Sequence, residues 1–89
     1  MKLKYEFIIR ELGDRYVAVA VGEHAEDFSA LIKMNKSGKI MMEMLQKETT
    51  EEEMLSALME KYEGTEEFFR EQIGKFVTGL RNAGAIEEA

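Results

Sequence analysis

The chain has 89 residues, 45% hydrophobic and 34% charged, with a formal net charge of -6 and a pI near 4.8. A chain this short is expected to form one domain, residues 1–89, with a modest core that buries roughly 60–65% of the unfolded surface. The acidity argues against nucleic acid or an anionic membrane as partner, since both are bound through Lys and Arg. The absence of cysteine excludes disulfides, thiolate catalysis and cysteine-held metal centres.

Tyr5, Phe7 and Ile9 alternate with Glu6, Ile8 and Arg10, the period of a first strand. Gly13-Asp14 suits a tight hairpin turn, because Gly tolerates positive φ and Asp the left-handed region. Tyr16 to Val21, rich in β-branched and aromatic residues, forms a second strand, and the polar Gly22 to Asp27 a loop. Phe28, Ala30, Ile32 and Met34 then alternate as a third strand with one buried face. Ser29, Leu31 and Lys33 face outward. No later segment pairs well with this strand, so it is expected at a sheet edge, where the apolar Leu31 is a mild liability unless another strand covers it.

Three helices follow. Asn35 offers a cap to a first helix from about Lys36 to Lys47, with Ile40, Met41, Met44 and Leu45 inward and Met42 more exposed. Thr50-Glu51-Glu52-Glu53 has the capping-box pattern and opens a second helix, with Met54, Leu55, Leu58, Met59 and Tyr62 on one face. Thr65 caps a third, in which Phe69, Ile73, Phe76 and Leu80 form an inward stripe. Asn82-Ala83-Gly84 ends it, and Ile86 folds back on the core. The order predicts an α+β, winged-helix-like fold, a three-stranded antiparallel sheet followed by a three-helix bundle.

In this order the residues resemble the PqqD family, small proteins or domains that bind the leader segment of ribosomally made precursor peptides. The resemblance covers nearly the whole chain. It runs through Phe7-Ile8-Ile9-Arg10-Glu11, Val19-Ala20-Val21-Gly22, Phe28 and Met34-Asn35-Lys36-Ser37-Gly38, the last close to the family's Leu-Asn-x-Thr-Gly pattern. It continues through Ile73-Gly74-Lys75-Phe76-Val77-Thr78-Gly79-Leu80 and Ala83-Gly84-Ala85-Ile86. Met42 stands where the family often has an aromatic residue, and Gln72 where an acidic one is frequent. The resemblance implies that a leader peptide docks as an extra strand beside the third strand, in a cleft formed with the third helix. It also implies a partner that receives the peptide, usually a radical S-adenosylmethionine maturase or another modifying enzyme.

The candidate peptide-binding residues are therefore Ser29, Ala30, Leu31, Ile32 and Lys33 on the strand, and Arg70, Ile73, Gly74, Val77 and Arg81 on the helix. Gly74 costs roughly 1 kcal/mol in a helix interior relative to alanine, which suggests a close approach there. It shares a stripe with Arg70, Val77 and Arg81, and the arginines suit bidentate bonds to peptide carboxylates. The alternatives are a solvated flank with two surface arginines, or a peptide along the side carrying Phe68, Gln72 and Lys75.

No residue set points to catalysis, a metal or a cofactor. His24, alone among Glu23, Glu26 and Asp27, reads as a solvated loop histidine, since acid–base work needs convergent partners in a sheltered pocket. Two rivals to the peptide-binding module remain. One is a winged-helix DNA-binding regulator, disfavoured because the third helix sets Arg70, Lys75 and Arg81 against Glu66, Glu67 and Glu71. The other is a dimerisation or adaptor domain that pairs through its open strand edge. A cytoplasmic protein is expected, a monomer or weak homodimer. Its first residues have no signal-like apolar run, and no stretch reaches the roughly 18 apolar residues of a membrane span.

Overall fold

The structure, a computed structural model, describes residues 1–23 and 31–88. The elements are β1 (Lys2–Leu3), β2 (Glu6–Leu12), β3 (Arg15–Val21), β4 (Ile32–Met34), α1 (Lys36–Met44), α2 (Glu51–Lys61), α3 (Glu66–Asn82) and β5 (Ile86–Glu87). β2, β3 and β4 form an antiparallel sheet with β3 in the middle, and β1 pairs with β5 in a separate two-stranded ribbon. This is the α+β arrangement of three strands and three helices read from the sequence. Loop residues 24–27, with His24, and positions 28–30 of the expected third strand lie outside the described residues.

Leu12 faces Arg15 across the hairpin, so Gly13-Asp14 is the whole turn. Gly13 has φ +66°, the left-handed first position that such turns demand. Strand alternation sorts the sheet as expected. Phe7, Ala18 and Met34 are buried on the inner face, with Tyr5, Ile9, Tyr16, Ala20 and Ile32 packed against the core from the same side. Ile8, Val17, Val19 and Lys33 share the outer face, with Lys33 directly opposite Val17.

Each helix begins on a side-chain cap. Asn35 Oδ1 accepts from the Gly38 N–H at 2.9 Å, Thr50 Oγ1 from Glu53 at 3.1 Å and Thr65 Oγ1 from Phe68 at 3.1 Å. Such caps satisfy N–H groups that the first helical turn leaves unpaired. α1 is shorter than predicted because its end tightens. Gln46 N bonds Glu43 O and Lys47 N bonds Met44 O, three residues back rather than four. At the far end of α3, Gly84 takes φ +79° and releases the chain into β5.

The inward faces of the helices differ from the sequence reading at three places. In α1 the buried set is Gly38, Met41, Met42 and then Leu45, at i, i+3, i+4 and i+7. Met42, expected outside, is fully buried, and Met44 only flanks the core. In α2, Met59 is exposed while Met54, Leu55 and Leu58 are buried. In α3 the core stripe is Phe69, Ile73, Val77 and Leu80, and Phe76 is half-buried beside it. The β1–β5 ribbon was not foreseen. It ties the chain start to the ends of α1 and α3, with Leu3 N bonded to Leu45 O at 2.8 Å and Lys4 N to Ala85 O at 2.7 Å.

The strand-to-helix junction is the tightest point of the fold. A Cβ placed on Gly38 would lie 2.8 Å from Met34 Cβ and 3.3 Å from Phe76 Cε1. Met34 Cβ is anchored to the backbone and has little room to yield. Gly38→Ala gains about 1 kcal/mol in helix propensity but overpacks at a cost of about 1–3 kcal/mol. Urea unfolding is expected to show a net loss of up to about 2 kcal/mol. A more stable variant would show that α1 moves away from β4 freely.

Candidate functional site

β4 pairs with β3 on one side only, so among the described strands its other edge is open. An open edge presents backbone N–H and C=O groups to any extended segment beside it. Next to this edge lies a groove of about 340 Å³, lined by Lys33 and Met34 of β4, Asn35, Ser37, Gly38 and Met41 of α1 and its cap, Gln72, Lys75 and Phe76 of α3, and Arg15 of β3. Its floor is apolar, from Met34, Met41 and Phe76. Among the described residues its rim carries three cations and no carboxylate. A second hollow, about 370 Å³, adjoins it. That hollow shares Asn35, Ser37 and Gln72 and adds Leu58, Tyr62, Phe68 and Phe69.

On the strand, Leu31 is 52% exposed, Ile32 turns inward, and Lys33 is exposed at the groove. Ser29 and Ala30 lie outside the described residues. On the helix the groove is lined by the flank opposite to the one proposed from the sequence. Ile73 and Val77 are each 1% exposed, both in the core, so Val77 does not belong to a surface stripe. Nothing lies within 4 Å of a Cβ placed on Gly74, so in this structure its missing side chain admits no close neighbour.

The two arginines are engaged elsewhere. Arg70 donates from Nη1 and Nη2 to the two carboxylate oxygens of Glu52 at 2.7 and 3.2 Å, and from Nε to Glu66 at 2.9 Å. It thereby ties α3 to α2. Arg81 Nε donates to Glu88 at 2.7 Å. The residues that sequence reasoning left out of its site, Gln72, Lys75 and Phe76, are those that meet β4. Two signals pointed to them. Gln72 and Lys75 stood on the alternative flank, and Phe76 is too large an apolar residue to sit on a solvated one.

Lys75 pairs with Glu71 along the helix at 3.1 Å, both side chains well exposed. Exposed pairs of this kind contribute little and exchange readily for another carboxylate. Lys39 lies over the Tyr16 ring, 5.5 Å from its centroid, which steadies the β3–α1 contact. Among the described residues no group of three His, Cys, Asp or Glu side chains is placed to hold a metal ion, and no helix is long and apolar enough to cross a membrane.

An open strand edge facing one flank of a helix across an apolar-floored groove is the distinguishing geometry of this small α+β domain. The sequence matches the family model for coenzyme PQQ synthesis protein D (PqqD) over residues 19–86, and the chain belongs to the PqqD family. The solved structure of TbiB1 in complex with the TbiA(beta) leader peptide has the same fold. It matches with a TM-score of 0.75 at 16% sequence identity and covers 100% of this chain and 99% of the other. No curated protein matches.

The Arg70–Glu52 pair has a measurable signature. The hydrogen bonds from Arg70, and then its charge, hold the Glu52 carboxyl below its ordinary value of 4.5. A depressed carboxylate stabilises the fold above its unfolded pKa, and that contribution disappears as pH falls through the folded value. NMR titration of the glutamate side-chain carbons is expected to find Glu52 titrating below the ordinary glutamate value, and returning to it in Arg70→Gln. An unshifted Glu52 in the parent would mean that the pair does not persist in solution.

Proposed function

We propose that the chain is a non-catalytic peptide-binding module. It recognises the leader segment of a ribosomally synthesised precursor peptide by strand addition and presents it to a modifying enzyme. The observation that carries this reading is the open edge of β4 beside a groove walled by α3. Membership of the PqqD family supports it, as does the shared fold with TbiB1, a protein solved with a leader peptide. Backbone pairing along β4 supplies affinity that is indifferent to sequence, and alternate side chains entering the groove supply selectivity. The enzyme that receives the peptide is a maturase, radical S-adenosylmethionine enzymes being the class the family resemblance implies. Residues 1–89 act as one domain in the cytoplasm, without nucleic acid, membrane or cofactor, as a monomer or weak homodimer.

Within the site, Leu31, Ile32 and Lys33 form the described part of the docking edge. The helical contribution comes from Gln72, Lys75 and Phe76 in place of Arg70, Gly74, Val77 and Arg81. Calorimetry with a peptide selected on the protein from a library of random twelve-residue sequences tests the assignment. Phe76→Ser is expected to weaken binding by about 10- to 100-fold, the scale of losing about 1.5–3 kcal/mol of apolar burial. Arg70→Gln and Arg81→Gln are expected to leave affinity unchanged. Loss of binding in the arginine variants with retention in Phe76→Ser would move the peptide to the other flank of α3.

A further inference from the structure

We propose that the groove selects an acidic peptide segment, one in which carboxylates alternate with apolar residues and one carboxylate lies beside Lys33. This deepens the leader-binding reading and rests on it. The argument starts from charge. The chain carries a formal net charge of -6, yet among the described residues Arg15, Lys33 and Lys75 line the groove and no carboxylate does. Among the described residues neither Arg15 nor Lys33 has an ion-pair partner, and Lys75 is held only by an exposed contact to Glu71. A cation cluster left uncompensated in an acidic protein favours an anionic occupant and speeds its capture.

Strand geometry then sets the pattern. A segment added beside β4 continues the alternation of the sheet, with successive side chains on opposite faces. Side chains on the inner face of the sheet meet Met34, Met41 and Phe76, which calls for apolar residues there. Those on the outer face lie beside Lys33 and the exposed Leu31. Opposite charges directly across a strand pair attract, and like charges repel. The outer-face neighbour of Lys33 is therefore Asp or Glu, with Arg15 one strand further in adding to the same field. Lys75 on the helical rim adds its charge to the same groove. The selected segment reads apolar–acidic–apolar over three residues, with the acid beside Lys33.

The test uses a library of random twelve-residue peptides displayed on mRNA, selected in parallel on the parent protein and on Lys33→Glu. Lys33 is exposed, so the variant is expected to melt with the parent. Hydrogen exchange of residues 31–34 is then recorded with the most enriched peptide of each pool. The parent pool is expected to be rich in Asp and Glu at alternate positions between apolar residues. Its best peptide should bind Lys33→Glu about tenfold more weakly, the scale of turning one cross-strand attraction into a repulsion. The Lys33→Glu pool should turn to Lys and Arg at the same positions. Protected β4 amides with acid-poor pools, or with the same pool from both proteins, would overturn the acidic preference and leave strand docking standing. If no selected peptide protects residues 31–34, both fall together.

Discussion

The contact between Gly38 and Met34 is the constraint on which the rest of the structure depends. β4 ends at Met34, Asn35 caps α1 at once, and Gly38 returns in the first turn of the helix to lie against the strand it has just left. With no Cβ at Gly38, α1 comes close to both Met34 and Phe76, so strand, first helix and third helix meet at one point. The same point is the floor of the groove. The family-like Met34-Asn35-Lys36-Ser37-Gly38 segment thus has a physical meaning at each end. Asn35 supplies the cap that lets a helix follow a strand without a loop, and Gly38 supplies the room for that helix to pack back on it.

Alternation and caps made most of the fold legible in the sequence. The period of two in Tyr5–Phe7–Ile9 and Ile32–Met34 named the inner face of the sheet, and Asn35, Thr50 and Thr65 named the three helix starts. What the sequence could not separate was the two flanks of α3. An amphipathic helix has a buried stripe with a flank on either side. Nothing in its own residues says which flank will face a distant strand, because that depends on the path of the chain through space. Positions 76 and 77 straddle the centre of the stripe, and the larger Phe76 reads as the better core residue. In the fold the smaller Val77 takes the crowded centre, and Phe76 leans out toward β4. Met42 inverted for the same reason, since in a run of Met41, Met42 and Met44 hydrophobicity alone does not choose a face. The β1–β5 ribbon escaped notice because two-residue strands have no period to detect.

The flanks of α3 divide their work by charge. On one, Arg70 and Arg81 are spent within the molecule, joining α3 to α2 and to the C-terminal segment. On the other, Phe76 is half-buried and Lys75 is held only by a solvated neighbour, so that flank has groups to offer a ligand. Gly74, which suggested a close approach, has nothing within 4 Å of where a Cβ would stand. Close approach is instead built at Gly38, in a helix whose glycine the family-like motif already carried. Among the described residues none of the chain's acids lines the β4 groove, a local cationic exception in an acidic molecule.

The most direct measurement is an intermolecular NOE map of the protein bound to a peptide selected on it from a random library. Strand addition at the groove predicts backbone Hα and N–H contacts from the peptide to residues 31–34, with side-chain contacts to Met34 and Phe76. Contacts confined to Arg70, Gly74 and Arg81, or to the outer edge of β2, would contradict it.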